Sequence, residues 1–195
     1  MVRVIAGTCR GRKLKTLDSE ATKPTLDRVK EAMFSMIAGL IPGAVVLDLF
    51  SGNGSLGIEA LSRGAEKCFF CDISADCCRM IRENLSATGF DACSEVIKGD
   101  FSEAIAAVGN RKIQADLLLL DPPYRKGLIG KALTDGRLQK LCRRGDDGSF
   151  PPKKTVAVCE HAREEELPDG IGNFRKIKTK SYGTVSVTLY EFCGE

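Results

Sequence analysis

Gly52-Asn53-Gly54-Ser55-Leu56-Gly57 fits the pattern G-x-G-x-x-G. Ahead of it lies a short apolar run, Val45–Phe50, interrupted by Asp48 and bounded by Pro42-Gly43 and Ser51-Gly52. Such a run predicts a buried parallel strand, and Leu56–Arg63 predicts a helix directly behind the loop. Glycines suit this junction because the backbone turns tightly and approaches a ligand closely, with helix N-terminal amides aimed at it. About twenty residues past the first glycine, a second apolar run, Cys68–Cys71, ends in Asp72, where a carboxylate can accept hydrogen bonds from ribose hydroxyls. Strand, glycine loop, helix and acid in this order point to a nucleotide-type cofactor.

A second constellation, Asp121-Pro122-Pro123-Tyr124, follows the apolar run Leu117–Leu120. Two consecutive prolines donate no backbone hydrogen bonds and hold the chain stiffly. Their carbonyls become fixed acceptors beside the Asp121 carboxylate, and Tyr124 adds a flat face. Acceptors without donors next to an aromatic plate suit an amino group on a flat ring. A rigid turn closing a strand would use the same residues; placement on the ligand-binding edge of a sheet favours the chemical role.

Those residues need a frame. Strand-then-helix segments repeat as Ala44–Phe50 with Ser55–Arg63, Lys67–Asp72 with Ala75–Ala87, Ser94–Lys98 with Phe101–Val108, and Ala115–Asp121 with Leu128–Leu141. Alternation at this spacing predicts an α/β protein, a mostly parallel sheet with right-handed crossovers and helices on both faces. Asp48, Asp72, Asp100 and Asp121 then fall at or near strand ends, where ligands bind. Before this repeat, Met1–Leu17 predicts a basic β-hairpin, and Thr25 or Asp27 can cap a helix through about Ala38. After it, Arg143–Lys153 predicts a loop and Thr155–Glu160 a strand. Phe174–Lys180 and Thr184–Phe192 predict an antiparallel hairpin turning at Ser181-Tyr182-Gly183.

At 195 residues the chain suits a single domain, with residues 1–40 an extension of a core at 41–195. No signal-peptide or membrane-spanning run is visible, which predicts a cytoplasmic protein without membrane contact. Nine cysteines are an odd number at irregular spacing, so neither disulfides nor a metal site is expected. Cys68 and Cys71 would point to opposite faces of one strand and could not share a metal. His161, the only histidine, is expected at the surface beside the acidic stretch Glu160–Asp169. The net charge of +3 conceals acid-free blocks: Arg3, Arg10, Arg12, Lys13 and Lys15 in one, Arg175, Lys176, Lys178 and Lys180 in another. A solvated face explains charge runs as well, but segregation into blocks favours a polyanionic partner. Arg10, Arg12, Lys13 and Lys15 are the candidate contacts to such a partner.

At these residues the sequence resembles a family. Asp48–Ala65, Asp72, Gly99-Asp100-Phe101 and Asp121–Tyr124 are similar to the motifs of class I S-adenosylmethionine-dependent methyltransferases that modify exocyclic or amide nitrogens. Val4–Gly7, Arg10–Leu14, Lys23-Pro24-Thr25 and Asp27–Glu31 resemble the bacterial 16S rRNA guanine-N2 methyltransferase family, with Lys23 where arginine is usual. The resemblance implies a Rossmann-like, seven-stranded sheet and methyl transfer to the N2 amino group of a guanine in small-subunit ribosomal RNA. That RNA would be met naked or within an assembling subunit, by a monomer. Asp48 and the backbone of Ser51, Gly52, Asn53, Gly54 and Gly57 would hold the methionine portion of the cofactor. Asp72 would take the ribose, Ile73 one adenine face, and Asp100 with Phe101 the adenine edge. Thr25, Asp27 and Arg28 would close over the cofactor, and Asp121, Pro122, Pro123 and Tyr124 would hold the base. DNA adenine or protein glutamine remain alternative substrates. A nicotinamide-dependent dehydrogenase fits the glycine loop but not Asp121–Tyr124, and a non-catalytic RNA-binding module leaves those residues without a task.

Overall fold

A computed structural model describes residues 2–16, 27–111, 113–145 and 154–194. β1 (Val2–Arg3) pairs antiparallel with β2 (Lys13–Leu14) as the predicted basic hairpin, which spans Val2–Leu14 with a ladder of only two residue pairs; Met1 and Leu17 lie outside the described residues. Helix α1 (Asp27–Met36) follows. The expected strand–helix alternation then runs through β3 (Val45–Asp48), α2 (Ser55–Ser62), β4 (Lys67–Asp72), α3 (Ala75–Thr88), β5 (Ser94–Lys98), α4 (Phe101–Gly109) and β6 (Leu117–Leu120). The predicted helix Leu128–Leu141 is two helices, α5 (Leu128–Leu133) and α6 (Gly136–Leu141). Asp135 makes the break: its carboxylate accepts the Arg137 amide at 2.8 Å, a local N-cap that outcompetes a continuous helix. Strands β7 (Val156–Ala162), β8 (Gly170–Ile171), β9 (Phe174–Tyr182) and β10 (Val185–Phe192) complete the fold.

The main sheet runs β5-β4-β3-β6-β7-β10-β9-β8. It has eight strands rather than seven because the two-residue β8 joins the edge. β5, β4, β3, β6 and β7 are parallel, and β10 enters antiparallel between β7 and β9. The strand order reverses between β3 and β6, so the crevice for a ligand opens at their carboxyl ends.

Strand alternation divides the core in two. Val46, Phe70, Leu119, Val158 and Leu189 pack with Val29, Met33 and Phe34 of α1, Ile58 of α2 and Ile81 of α3. Leu47, Phe69, Leu118, Ala157 and Tyr190 pack with Ile105 of α4, Ile129 of α5 and Leu138 of α6. Cys68 belongs to the first cluster and Cys71 to the second, as opposite strand faces require. All nine cysteines are free, and the described residues contain no metal-ligating cluster. No described helix is long and apolar enough to cross a membrane.

His161 corrects an expectation. It is 3% exposed on β7, with Nε2 2.8 Å from Thr188 Oγ1 and Nδ1 3.0 Å from the Ala162 carbonyl. β7 lies between β6 and β10 with both faces covered, so its polar residues are buried despite the acidic run that follows.

Candidate active site

The glycine loop is shaped by side chains of the two strands beside it. Ser51 joins β3 to β4: its hydroxyl donates to the Asp48 carbonyl at 2.8 Å and accepts the Cys71 amide at 2.9 Å. Gly52 and Gly54 take positive φ, +54° and +80°, which glycine adopts at little cost. The Gly52 amide donates to Asp72 Oδ2 at 2.8 Å, and Asp72 Oδ1 accepts the Ser74 amide at 2.8 Å. Asp72 therefore ties the loop to the end of β4, while each oxygen keeps lone-pair capacity for a further donor. Asn53 Oδ1 accepts the Ser55 amide at 3.1 Å, covering an open donor at the start of α2. Gly57 serves packing: a Cβ there would lie 2.3 Å from Phe70 Cε1 and 2.7 Å from Cys68 Sγ.

Asp48 is buried at the end of β3, its Oδ2 accepting the Gly57 amide at 3.0 Å. Its Oδ1 is buried without a hydrogen-bond partner. Burial pushes this carboxyl up to about 7, against the opposing effect of the Gly57 amide. A buried acid with one orphaned oxygen is a place where a ligand N–H donor or cation would be stabilising.

Further along the same strand ends, Ile73 stands 74% exposed, an apolar side chain largely uncovered by protein. Asp100 caps α4, accepting the Glu103 amide at 2.9 Å, while Glu103 Oε2 accepts the Asp100 amide at 2.8 Å. Phe101 packs against Phe50, ring centroids 5.8 Å apart. The Gly99 amide donates to the Asp72 carbonyl at 3.0 Å, which draws this turn to the glycine-loop side.

Asp121 follows β6 at the other lip of the crevice. Burial first, then repulsion from Glu160 and Asp48, pushes its carboxyl well above the ordinary carboxylate range. The Tyr124 hydroxyl donates to Glu160 Oε1 at 2.9 Å, so the ring is anchored at its far end. Glu160 is the residue that sequence reasoning missed. It reads as the first of an acidic surface stretch, whereas the pairing of β7 with β6 brings it to the carboxyl edge beside Tyr124. Arg125, next in the chain, has φ +62°, the one described non-glycine residue there. Its amide donates to Glu165 Oε2 at 3.2 Å, part of what holds the turn.

The N-terminal contributors separate. Thr25 lies outside the described residues. Asp27 accepts the Arg3 Nε at 2.8 Å and Arg28 is exposed; among the described residues neither makes a hydrogen bond or ion pair to the glycine loop. Lys30 is the α1 residue that reaches it, donating to Ser55 Oγ at 3.0 Å and to the Arg3 carbonyl at 2.6 Å. Its Nζ lies 3.4 Å from Glu59 Oε2, and Glu59 accepts the Ile5 and Ala6 amides at 2.7 and 3.0 Å. Burial lowers the Lys30 ammonium, with Glu59 opposing. Of the candidate RNA contacts, Arg10, Arg12 and Lys13 are exposed on the hairpin and make no ion pair among the described residues. Lys15 pairs with Glu83 at 2.8 Å.

A parallel sheet with a glycine loop at its switch point, an acid ending the next strand, Asp-Pro-Pro-Tyr across the crevice and a reversed strand near the edge together define a Rossmann-like methyltransferase. The chain belongs to the family described as conserved hypothetical protein 95, whose model matches residues 2–191. It is 35% identical over 196 residues to ribosomal RNA small subunit methyltransferase D of Haemophilus influenzae, covering 97% of this chain and 93% of that protein. The Escherichia coli K12 protein of the same name is 30% identical over 190 residues, with 97% and 89% covered. An RNA methyltransferase from Salinibacter ruber, solved with S-adenosyl-L-homocysteine, shares the fold with a TM-score of 0.62. It is 21% identical, covering 88% of this chain and 95% of that one.

Proposed function

We propose that this protein transfers a methyl group from S-adenosylmethionine to the exocyclic N2 amino group of a guanine in small-subunit ribosomal RNA. The observation that carries the reading is the pairing of two lips at one crevice: the glycine loop with Asp48 and Asp72 on β3–β4, and Asp121–Tyr124 with Glu160 on β6–β7. Kinship with rRNA methyltransferases named for the small subunit supports the substrate class. Similarity to relatives named as rRNA methyltransferases favours methyl transfer over the dehydrogenase alternative.

The residues present fit the cofactor. Asp72 has lone pairs for ribose hydroxyls, Ile73 a largely uncovered apolar side chain, and the Phe50–Phe101 pair an apolar edge. The orphaned Asp48 oxygen is an acceptor for a cationic methionine end. When bound, S-adenosylmethionine supplies a methyl group already activated on a sulfonium, so the protein's task is alignment more than strong-base chemistry. Asp121 and the Pro122 carbonyl accept the amino N–H groups, drawing nitrogen toward pyramidal geometry and directing its lone pair. Pro123 stiffens the turn, and Tyr124 stacks on the base, a contact worth about 1–3 kcal/mol. The target base must be unpaired or flipped out to enter. Residues 1–40 act as an RNA-facing extension of the 41–195 core within one domain, with Arg10, Arg12 and Lys13 on phosphates.

The test is methyl transfer from labelled cofactor to small-subunit rRNA, bare and in assembling particles, followed by nucleoside analysis. N2-methylguanosine is expected, and Asp121→Ala should abolish turnover while leaving cofactor affinity within about twofold, since its partner is the base. Label in adenine or in protein glutamine would replace the guanine assignment.

A further inference from the structure

Asn84 is 1% exposed on α3, a helix whose buried positions are otherwise filled mainly by apolar and cysteine side chains. A buried amide costs free energy unless its polar atoms are paired. Here Oδ1 accepts the Lys15 amide at 2.8 Å. Nδ2 donates to the Lys15 carbonyl at 3.2 Å and to the Asn53 carbonyl at 3.0 Å. One side chain thus holds both polar groups of a residue at the end of the basic hairpin and one carbonyl of the glycine loop. An amide presents an acceptor and a donor side by side, as this bridge requires. Asn53 Nδ2 reaches the same Lys15 carbonyl at 3.5 Å, and Glu83, the preceding residue, takes the Lys15 ammonium. Two consecutive residues of α3 therefore grip Lys15, and one of them also grips the loop.

We propose that Asn84 is a positioning residue that couples the glycine loop to the RNA-facing hairpin, so that a filled cofactor site stiffens the strand end carrying Lys13 and Lys15. This rests on the cofactor and RNA assignments proposed above. Ligand contacts that order Gly52–Gly57 reduce the freedom of the Asn53 peptide. Through Asn84 the same restraint falls on Lys15, which lowers the ordering still required when RNA arrives. The other arm of the hairpin has separate anchors, Lys30 on the Arg3 carbonyl of β1 and Glu59 on the Ile5 and Ala6 amides just after it. Losing Asn84 therefore leaves the hairpin docked and removes only this link.

Hydrogen exchange of the full chain, with and without saturating S-adenosyl-L-homocysteine, tests the link in the parent and in Asn84→Leu. In the parent, the ligand should slow exchange at Gly52–Gly57 and also at Arg12–Thr16, the latter by about two- to tenfold, the span that one hydrogen bond's net contribution represents. In Asn84→Leu, slowing at Gly52–Gly57 should persist while the ligand-dependent slowing at Arg12–Thr16 falls to the little that the 3.5 Å contact of Asn53 Nδ2 with the Lys15 carbonyl can carry. Unchanged exchange at Ile5 and Ala6 without ligand would report a docked hairpin. Asn84→Asp, which keeps the acceptor and loses both donors, should behave like Asn84→Leu and serves if that variant fails to fold. Equal slowing at Arg12–Thr16 in variant and parent, or none in the parent despite a protected loop, overturns the coupling alone. Absence of slowing at the loop in the parent overturns the cofactor assignment and the coupling with it.

Discussion

Asp48 shows how one buried group connects stability, pH and ligand. Its ordinary value of 3.8 is raised to about 7, chiefly by burial. Between those values the folded state holds a proton that the unfolded state has released. The stabilisation associated with that proton is fully present below 3.8 and is lost as pH rises through about 7. Asp48→Asn, which cannot ionise, should flatten the pH dependence of urea unfolding between pH 4 and pH 7 in the cofactor-free protein. An unaltered slope would locate the titration elsewhere. Asp121 is raised by burial and by neighbouring acids, and N–H donors of a bound base would oppose that shift by favouring the ionised, accepting form. Its role appears in turnover, as the Asp121→Ala comparison requires.

Elements, unlike single residues, fail through packing and stranded charge. Helix α2 sits against β4 closely enough that Gly57 has no room for a methyl group. Gly57→Ala should cost about 1–3 kcal/mol by overpacking against the buried Phe70 ring, seen as a lower midpoint in denaturant unfolding. The same α2 carries Glu59, which α1 answers with Lys30 and the segment just after β1 answers with the Ile5 and Ala6 amides. Lys30→Met removes one member of a buried pair and leaves Glu59 to Arg63 and the amides. Because Glu59 keeps those partners, the cost should fall below the about 3–5 kcal/mol of a buried charge left uncompensated. That loss should appear in denaturant unfolding, with early proteolysis at Arg10 and Arg12 as the hairpin detaches.

On the scale of the whole molecule, the sheet places both proposed ligand sites along one edge, while the basic hairpin docks on the face covered by α1, α2 and α3. Arg10, Arg12 and Lys13 carry charge unneutralised by described acids, whereas Arg3 and Lys15 are paired with Asp27 and Glu83. If the unpaired cations lie on phosphates, Arg10→Ala/Arg12→Ala should reduce the log–log salt slope of RNA affinity by roughly one to two units, at about 0.7 per contact. S-adenosyl-L-homocysteine affinity should stay unchanged. An unaltered slope would shift the grip to Arg175–Lys180 on β9.

Local chemistry made much of this legible from sequence. Positive-φ turns demand glycine, and continuous apolar runs mark strands covered on both faces. β4 and β5 accordingly begin and end where their residues predict, and Asp48, Asp72 and Asp121 fall at strand ends. Strand pairing decided the remainder. Whether a polar residue is buried depends on which strands flank it, and no window of neighbouring residues contains that information. β7 lies between β6 and β10, so His161 is enclosed and Glu160 meets Tyr124, thirty-six positions away in the chain. Lys30 with Glu59 and Asn84 with Lys15 and Asn53 likewise read as ordinary polar helix residues. Their partners are distant in sequence, and only docking of the hairpin against α2 and α3 converts those side chains into the links that hold the site together.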